Sequence, residues 1–329
     1  MFLALLALSQ AVKPVVLDAV GDVMLDRYVG RHIDARGSGY ALEKVRNEFA
    51  KADLVLANLE CPLTTQPIQV EKRFPFRAKP SRVKALKGIG VVSLANNHTL
   101  DCGSAGLAET VRVLEKVGIA SIGVGGKTWM PLIVRRNGLR IALFAYSDFP
   151  EKPSIPQYPN TPLISYFSSA RMRERLALIR PQVDFVIVFA HWGIEGDFQP
   201  SDRQRKEAKE MADSGADLIL GSHPHVLQPV ERIGHAVVAY SMGNFIFDAP
   251  NAQQAETAIF EFRLARHRVI DWRLVPCQIK GARPIPTGPR ISIRNLPPTS
   301  ADWLPGSPHR CLRAALATTL ICEVCRRGG

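Results

Sequence analysis

Short apolar runs rich in β-branched residues recur along the chain, and most are followed by a polar loop and then a stretch with helical periodicity. This order predicts alternating strands and helices. The runs are apolar at nearly every position, which is typical of strands covered on both faces. The predicted strands span residues 15–20, 54–57, 91–95, 140–146, 185–190, 218–220 and 236–240. The pattern therefore predicts an α/β fold.

The predicted helices span residues 41–51, 104–117, 169–179 and 201–214, with Ser104 as N-cap of the second, which ends near Gly118. Residues 150–162 carry five prolines and are interpreted as a loop or flap. Residues 259–264 and 269–276 predict a terminal antiparallel pair. We therefore expect one α/β domain over residues 13–281, followed by an irregular or disordered tail over residues 282–329.

The first twelve residues allow two interpretations. An apolar run is followed by the small residues Ser9 and Ala11, as in a short signal peptide, but the run lacks a basic start. It also precedes the first predicted strand closely, so it could be an apolar lead-in to that strand. No later run approaches the roughly 18 apolar residues that cross a bilayer.

The composition favours an anionic partner. The chain has 42 Lys and Arg against 30 Asp and Glu, a net charge of +12. Neither zinc-finger spacing nor a basic repeat rich in aromatic residues is present, so nucleic acid is not expected. Cys322 and Cys325 form a CxxC pair without a second half, and we interpret them as unpaired thiols.

Polar residues follow most of the predicted strands. In open α/β sheets ligands bind beyond the carboxyl ends of the strands, so these side chains should converge. They include four of the eight histidines, two carboxylates and an asparagine, a mixed nitrogen and oxygen set suited to Zn²⁺, Mn²⁺ or Fe. The candidate metal ligands are Asp22, Glu60, Asn97, His191, His223 and His225, with His98 beside them. We expect one or two divalent ions, with Glu60 as the bridging ligand.

Each candidate also has a simpler interpretation. Asp22 could cap the next helix, Glu60 could be a solvated loop carboxylate, and His191 could be a core histidine. Asn97–His98 could form an Asx-turn with a surface imidazole, and Asp101 could cap the following helix.

The strongest local signal is the pair His223 and His225, because two imidazoles two residues apart in an extended segment point the same way. The candidate substrate-binding residues form a separate group, predicted from their loops and charge. They are Arg27, Asn58, Glu195 and Asn244.

Six sequence blocks together resemble the CapA family of poly-gamma-glutamate capsule biosynthesis proteins, in the family's order from about Pro14 to Val275. The blocks are GDVML at 21–25, ANLE at 57–60, LANNHTLD at 94–101, HWGIE at 191–195, GSHPHV at 221–226 and YSMGNF at 240–245. The family resembles the calcineurin-like metallophosphoesterases. The resemblance implies a four-layer α/β sandwich, with mixed central sheets flanked by helices and a two-metal site.

The resemblance also implies roles for individual residues. It implies metal ligation by the six candidate ligands and an acid or leaving-group role for His98, with Asn97 as the second catalytic residue. The chain departs from the metallophosphoesterase pattern at Met24, where a histidine is expected, and at Asn58–Glu60, where a Gly-Asp pair is expected. One metal position is therefore short of a ligand. Gly196 stands where family members often have an aromatic residue.

The leading hypothesis is a metal-dependent hydrolase or transferase of capsule or cell-envelope polymer metabolism, with an anionic polymer of poly-gamma-glutamate type as substrate. Two alternatives stay open. One is a non-catalytic accessory subunit that binds a membrane-bound synthase or the polymer, and the other is a phosphoesterase for small phosphorylated substrates. The expected location is the cell envelope, membrane-associated or secreted, with the cytoplasm as alternative.

Overall fold

Two β-sheets face each other across the main hydrophobic core. The computed structural model describes residues 13–125, 130–149 and 163–292. In chain order the strands are β1 (Val15–Val23), β2 (Leu54–Leu59), β3 (Val91–Ser93), β4 (Ala120–Ile122), β5 (Val124–Gly125), β6 (Leu132–Arg136), β7 (Leu139–Ser147), β8 (Leu163–Ile164), β9 (Phe185–His191), β10 (Leu218–Ser222), β11 (Val230–Ile233), β12 (Ala236–Ala239), β13 (Asn244–Ile246), β14 (Glu256–Ala265), β15 (Arg268–Lys280), β16 (Arg283–Pro286) and β17 (Ile291–Ser292).

The helices connect these strands. They are α1 (Arg27–Arg36), α2 (Arg46–Phe49), α3 (Gly103–Glu115), α4 (Ser169–Ile179), α5 (Asp202–Asp213) and α6 (Ala252–Ala255), with 3-10 helices at Tyr40–Leu42, Pro80–Leu86 and Arg180–Gln182. Apolar residues of α1 and α3 join the core of the first sheet, and α4 and α5 cover the second sheet.

Both sheets are parallel at the centre and antiparallel towards an edge. The first has the order β16-β15-β14-β1-β2-β3-β4, with β13 also paired to β1 and β17 to β15. The second has the order β11-β12-β10-β9-β7-β6, and β5 pairs separately with β8. Mixed sheets with helices packed against them confirm the predicted α/β class.

The strand β9 shows why the apolar runs are continuous. Its residues Phe185, Ile187 and Phe189 lie in the core shared with the first sheet, and the intervening Val186 and Val188 pack with α4 and α5. Because both faces of this strand are covered, every position buries an apolar side chain.

Three predicted helices are confirmed and one is wrong. The helix α4 has the predicted bounds, and α5 begins after the capping box of Ser201 and Gln204. The helix α3 begins one residue before the predicted start, so Ser104 is not its N-cap. Residues 41–51 form a 3-10 turn and the short α2 instead, because hydrogen bonds between residues three apart bring Leu42 and Val45 to one buried face.

The two ends of the described range differ in what they show. The predicted antiparallel pair near the C-terminus is confirmed as β14 and β15. The strands β16 and β17 lie beyond residue 282 and pair with β15, so regular structure continues into the segment predicted as a tail. The predicted lead-in at 1–12, the flap at 150–162 and residues 293–329 lie outside the described residues.

Over the described residues, no helix combines the length and the apolar character needed to cross a bilayer.

Candidate metal centre

The carboxyl ends of strands from both sheets meet at one cluster of buried polar side chains. The first sheet contributes Asp22 at the end of β1 and Glu60 just after β2, and the second contributes His191 as the last residue of β9. His223 and His225 follow β10. Asp22, Glu60 and His191 are completely buried. The sequence-predicted ligands therefore come together from both halves of the sandwich.

The carboxylate of Glu60 lies at the centre of this cluster. Its Oε1 atom is 3.5 Å from His191 Nε2 and 3.9 Å from the Nε2 atoms of His98 and His225. Neither Glu60 oxygen has a hydrogen-bond partner among the described residues, and neither does Nδ1 of His223. A buried carboxylate left without donors is costly unless a cation neutralises it.

Three groups of side chains hold their ligand atoms within 4.8 Å of one another. The groups are Glu60, His191 and His223; Asp22, Glu60 and His225; and Glu195, His223 and His225. The nitrogen and carboxylate donors suit a divalent ion such as Zn²⁺, Mn²⁺ or Fe²⁺. The residues therefore fit divalent metal binding, and Glu60 belongs to two of the groups.

Burial and mutual repulsion make the cluster electrostatically unbalanced. Burial raises the pKa of Glu60 well above its usual value, and the nearby charge of Asp22 raises it further. Burial lowers the pKa of His223 to about 3 and that of His191 well below its usual value. Both imidazoles are therefore neutral at pH 7, which is the form that binds metals.

His225 is the exception. Burial lowers its pKa, but the charges of Glu60 and Asp22 outweigh burial and raise that pKa to about 10. Its Nδ1 atom is 3.2 Å from Asp22 Oδ2. The positive charge of the His225 imidazolium thus partly neutralises the negative charge of the Glu60 and Asp22 side chains.

Buried hydrogen bonds orient the candidate ligands. The Asn58 amide donates to Asp22 Oδ1 at 2.8 Å and to His191 Nδ1 at 3.2 Å. Asn244 Oδ1 lies 2.8 Å from His225 Nδ1. Both asparagines were predicted to bind substrate; the structure buries them in contact with the candidate ligands, where their hydrogen bonds can orient those side chains.

Further contacts of His191 complete this set. Ser222 Oγ lies 2.9 Å from His191 Nδ1, and Asn97 Oδ1 lies 3.1 Å from His191 Nε2. Sequence reasoning missed Ser222, although it lies inside the conspicuous GSHPH block.

His98 forms a chain of polar contacts at the edge of the cluster. Its Nδ1 atom is 2.8 Å from Asp101 Oδ2, and Asp101 Oδ1 is 2.5 Å from Lys72 Nζ. The His98 ring stacks on Phe76 with 4.1 Å between centroids. The prediction that Asp101 caps α3 is wrong, because the helix begins after Cys102 without a side-chain cap. The spacing of three residues between His98 and Asp101 was the sequence feature that could have predicted their contact. No sequence feature predicted the contacts of Lys72 and Phe76.

The predicted reason for the convergence of His223 and His225 is also wrong. Both residues follow the last residue of β10 and have positive φ angles of 96° and 58°, so the segment is not extended. Their ring centroids are 5.9 Å apart. Left-handed backbone, which is strained for residues other than glycine, brings the two rings to the site.

The loop after β9 closes against this segment. Gly196 has φ 77° and donates its N–H to the carbonyl of Pro224 at 2.8 Å. A glycine adopts this conformation without strain. Glu195, predicted to bind substrate, is exposed and lies within ligand distance of His223 and His225.

Arg27 lies on the accessible side of the site. Its side chain is 43% exposed, and its Nε atom is 3.4 Å from Asp248. Among the residues predicted to bind substrate, Arg27 and Glu195 remain accessible.

The burial of the cluster excludes most of the simpler interpretations. Asp22 and Glu60 are completely buried and His98 is nearly so, so none is a solvated surface group. Asp22 does not cap α1, which begins after Asp26. Met24, the position lacking the expected histidine, is buried, and its sulfur accepts the Asp26 N–H at 3.0 Å. It therefore faces a backbone turn.

Curated proteins resemble the chain over most of its length. The chain is 32% identical over 275 residues to the PGA biosynthesis protein CapA of Bacillus subtilis, covering 81% of this chain and 72% of that protein. It is 30% identical over 304 residues to the capsule biosynthesis protein CapA of Bacillus anthracis, covering 84% and 72%. A probable polyglutamine synthesis accessory protein of Mycobacterium tuberculosis is 26% identical over 328 residues, covering 90% and 83%.

Among solved structures, the NAD nucleotidase of Haemophilus influenzae superposes with a TM-score of 0.53 at 12% identity, over 81% of this chain and 51% of that one. This likeness shows the metallophosphoesterase-type fold. Residues 16–249 match the family described as bacterial capsule synthesis protein PGA_cap. The CapA proteins are relatives of this chain, and the chain belongs to that family of capsule synthesis proteins.

Proposed function

We propose that the protein is a metal-dependent hydrolase or transferase that acts on the amide bonds of an anionic capsule polymer of poly-gamma-glutamate type. The observation that carries the proposal is the buried carboxylate of Glu60, which lacks hydrogen-bond partners and is shared by two groups of metal-binding side chains. Imidazoles surround this carboxylate, which makes its position suited to a bound cation. Mn²⁺, Zn²⁺ and Fe²⁺ all suit these donors.

The residues would hold one or two ions. Glu60, His191 and His223 form one set and Asp22, Glu60 and His225 the other, with Asn97 adjoining the first through its contact with His191. A divalent ion bound there supplies Lewis-acid polarisation of a carbonyl or phosphoryl oxygen.

His98 is the candidate proton donor. In hydrolysis water adds to the amide carbonyl carbon, the C–N bond breaks and the departing nitrogen takes a proton; in transfer an acceptor amine replaces water. His98 holds its Nδ1 against Asp101, so its Nε2 atom faces Glu60 and the cluster. With its Nδ1–H held by Asp101, neutral His98 has a free lone pair on Nε2, which can take the proton released by the attacking water or amine and pass it to the departing nitrogen. Asn97 is only half-buried beside it, and its amide would stabilise the developing oxyanion.

Two observations support an anionic polymer as substrate: the net charge of the chain and the names of its relatives. The net charge of +12 favours an anionic substrate, and the relatives carry PGA biosynthesis, capsule biosynthesis and polyglutamine synthesis in their names. Work on such a polymer would place the protein in the cell envelope, membrane-associated or secreted, where a membrane-bound synthase is the expected partner.

One observation favours a second function, a non-catalytic accessory subunit of a polymer synthase. Met24 occupies the position where metallophosphoesterases have a histidine, and its buried sulfur is bonded to the backbone. Loss of a ligand would weaken one metal position. The mycobacterial relatives are themselves named probable accessory proteins.

The test compares the wild type with His98→Ala and, as a control, with His235→Ala, a half-exposed histidine in the turn between β11 and β12. Each protein is loaded in turn with Mn²⁺, Zn²⁺ and Fe²⁺. Cleavage of poly-gamma-glutamate is followed by chain length and new amino groups, and phosphodiester cleavage by bis(p-nitrophenyl) phosphate.

Polymer cleavage that is lost in His98→Ala and retained in His235→Ala is the expected result. Metal binding without cleavage of either substrate would contradict the enzymatic function and support the accessory function. Cleavage of the phosphodiester alone would identify a phosphoesterase.

A further inference from the structure

Two arginines share one exposed aromatic ring close to the candidate metal centre. The guanidinium carbons of Arg27 and Arg73 lie 5.3 Å and 4.9 Å from the ring centroid of Phe74. Phe74 itself is 49% exposed, which is unusual for a large apolar side chain. Cation–π contacts hold each guanidinium near the ring and limit its freedom.

This group is continuous with the proposed catalytic edge. The Arg27 guanidinium is also 5.8 Å from the ring centroid of Phe76, the ring that stacks on His98. Phe76 in turn contacts Phe247, whose ring lies 4.9 Å from that of His225. A ligand resting on Phe74 would therefore lie beside the histidines of the cluster.

The charges of the two arginines are only partly neutralised. Arg27 pairs with Asp248 at 3.4 Å, whereas Arg73 has no acidic side chain within 4.0 Å in the part of the chain that the structure describes. Two like charges on one ring repel each other, and an anion shared between them removes that cost. Guanidinium groups bind carboxylates through paired parallel hydrogen bonds.

The backbone of Arg27 also differs from an ordinary helix start. Its φ angle is 48° at the first residue of α1. Positive φ angles occur at His223 and His225 of the metal cluster and also at Asn137, His267 and Ala282 outside it, so the contacts of Arg27, not its backbone angle, associate it with the site.

We propose that Arg27, Arg73 and Phe74 form the binding subsite that receives successive carboxylates of the anionic polymer and presents its amide bond to the metal centre. We call these three residues the arginine rim. This inference rests on the proposed function for the identity of its ligand. A chain with one carboxylate per residue places charges at regular intervals, which two fixed guanidiniums on one platform can bind together.

The experiment measures the affinity of metal-free protein for fluorescently labelled poly-gamma-glutamate by anisotropy, with free glutamate as competitor. The variants are Arg73→Glu and Phe74→Ala. The control is Arg173→Glu, which reverses an exposed charge on α4 against the second sheet. It changes the net charge as much as Arg73→Glu does, so it isolates local binding from the general attraction of a basic protein.

We expect Arg73→Glu to weaken polymer binding at least tenfold and Phe74→Ala at least threefold, with Arg173→Glu within twofold of the wild type. Free glutamate should compete poorly. Equal losses in Arg73→Glu and Arg173→Glu, or a wild type that does not bind the polymer, would overturn the arginine rim. Binding is measured without metal or turnover, so the result of this experiment does not depend on whether the protein is an enzyme.

Discussion

The surroundings of Glu60 are those expected for a metal-binding carboxylate. Its carboxylate is completely buried, lacks hydrogen-bond donors and lies among imidazoles from loops far apart in the sequence. The position after a strand predicted its proximity to the other ligands, because carboxyl ends of strands meet at one edge. The contacts of Lys72 and Ser222 could not be predicted, because each depends on side chains brought close only by folding.

The role of His98 predicts a dependence on the leaving group. If its imidazole protonates the departing atom, His98→Ala should slow substrates with poor leaving groups by at least a hundredfold. A substrate that releases p-nitrophenolate needs little protonation and should lose less than tenfold. The measurement is kcat for a pair of substrates that differ in leaving group alone. Equal losses for both would rule out proton donation by His98.

Asp101 should act through His98. Its carboxylate accepts from Nδ1 and so fixes the ring with Nε2 towards Glu60. We expect Asp101→Asn to lower kcat at least tenfold with little change in KM, and His98→Ala, Asp101→Asn together to be no slower than His98→Ala alone. A purely structural role would instead give additive losses in the double variant.

At the scale of elements, close backbone approaches hold the strand ends that carry the ligands. A Cβ atom at Gly21 in β1 would lie 1.8 Å from the carbonyl oxygen of Gly243, beside the β1–β13 pairing that aligns Asp22 with Asn244. Sequence patterns placed β1 correctly but ended it before Gly21, because a glycine and an aspartate end an apolar run. The structure carries the strand through them to Val23.

Gly21→Ala should therefore destabilise the protein by about 3 kcal/mol or more, since backbone on both sides cannot move apart freely. Gly90→Ala is the control, because its added Cβ would find its nearest neighbour at an ordinary 3.5 Å. The free energy of unfolding in urea gives the comparison. Unfolding midpoints that are the same for Gly21→Ala and the wild type would contradict the close approach.

A pair of adjacent strands also buries two acids. Asp18 in β1 is opposite Glu261 in β14, and burial together with the charge of Glu261 raises the pKa of Asp18 to about 7. This is above the value of 3.8 expected when the chain is unfolded. The folded state therefore binds the Asp18 proton more tightly, and this stability is lost as pH rises from about 4 to about 7.

Asp18→Asn removes that ionisation. We expect the stability of the variant relative to the wild type to improve by on the order of 2 kcal/mol between pH 5 and pH 8. Chemical unfolding at the two pH values measures the difference. A relative stability that is independent of pH would show that Asp18 titrates as an ordinary carboxyl.

On the scale of the whole molecule, the sequence predicted more of the sheets than of their connections. Strands with both faces covered are apolar throughout, so β7, β9 and β10 were recognisable. The helix α1 was missed because only Val29, Gly30 and Ile33 are buried in a segment otherwise rich in charge. The fold was predicted best where burial dictates the residue type, and least where short polar segments take their structure from contacts with the rest of the molecule.

The same contrast applies to the site. The candidate metal ligands are chemically distinctive and stand out in the sequence, but whether a side chain would bind a metal or orient a ligand depends on how deeply it is buried. Asn58 and Asn244 were predicted from the sequence to bind substrate, and both are buried in the structure. Both sheets are needed to bring the ligands together, so the site depends on the whole sandwich.

Binding of a divalent ion by Glu60 and its neighbours is the basis of the proposed function. Glu60→Gln keeps the shape of the side chain and removes the buried charge, so the metal-free variant should be at least as stable as the wild type. Glu115→Gln on the exposed face of α3 is the control. Metal-free protein is titrated with Mn²⁺ or Zn²⁺ in a calorimeter, and the bound metal is counted by mass spectrometry.

We predict one or two ions per chain in the wild type and in Glu115→Gln, and at least a tenfold weaker affinity in Glu60→Gln. A wild type that binds no divalent ion, or a folded Glu60→Gln with unchanged affinity, would rule out the proposed metal centre.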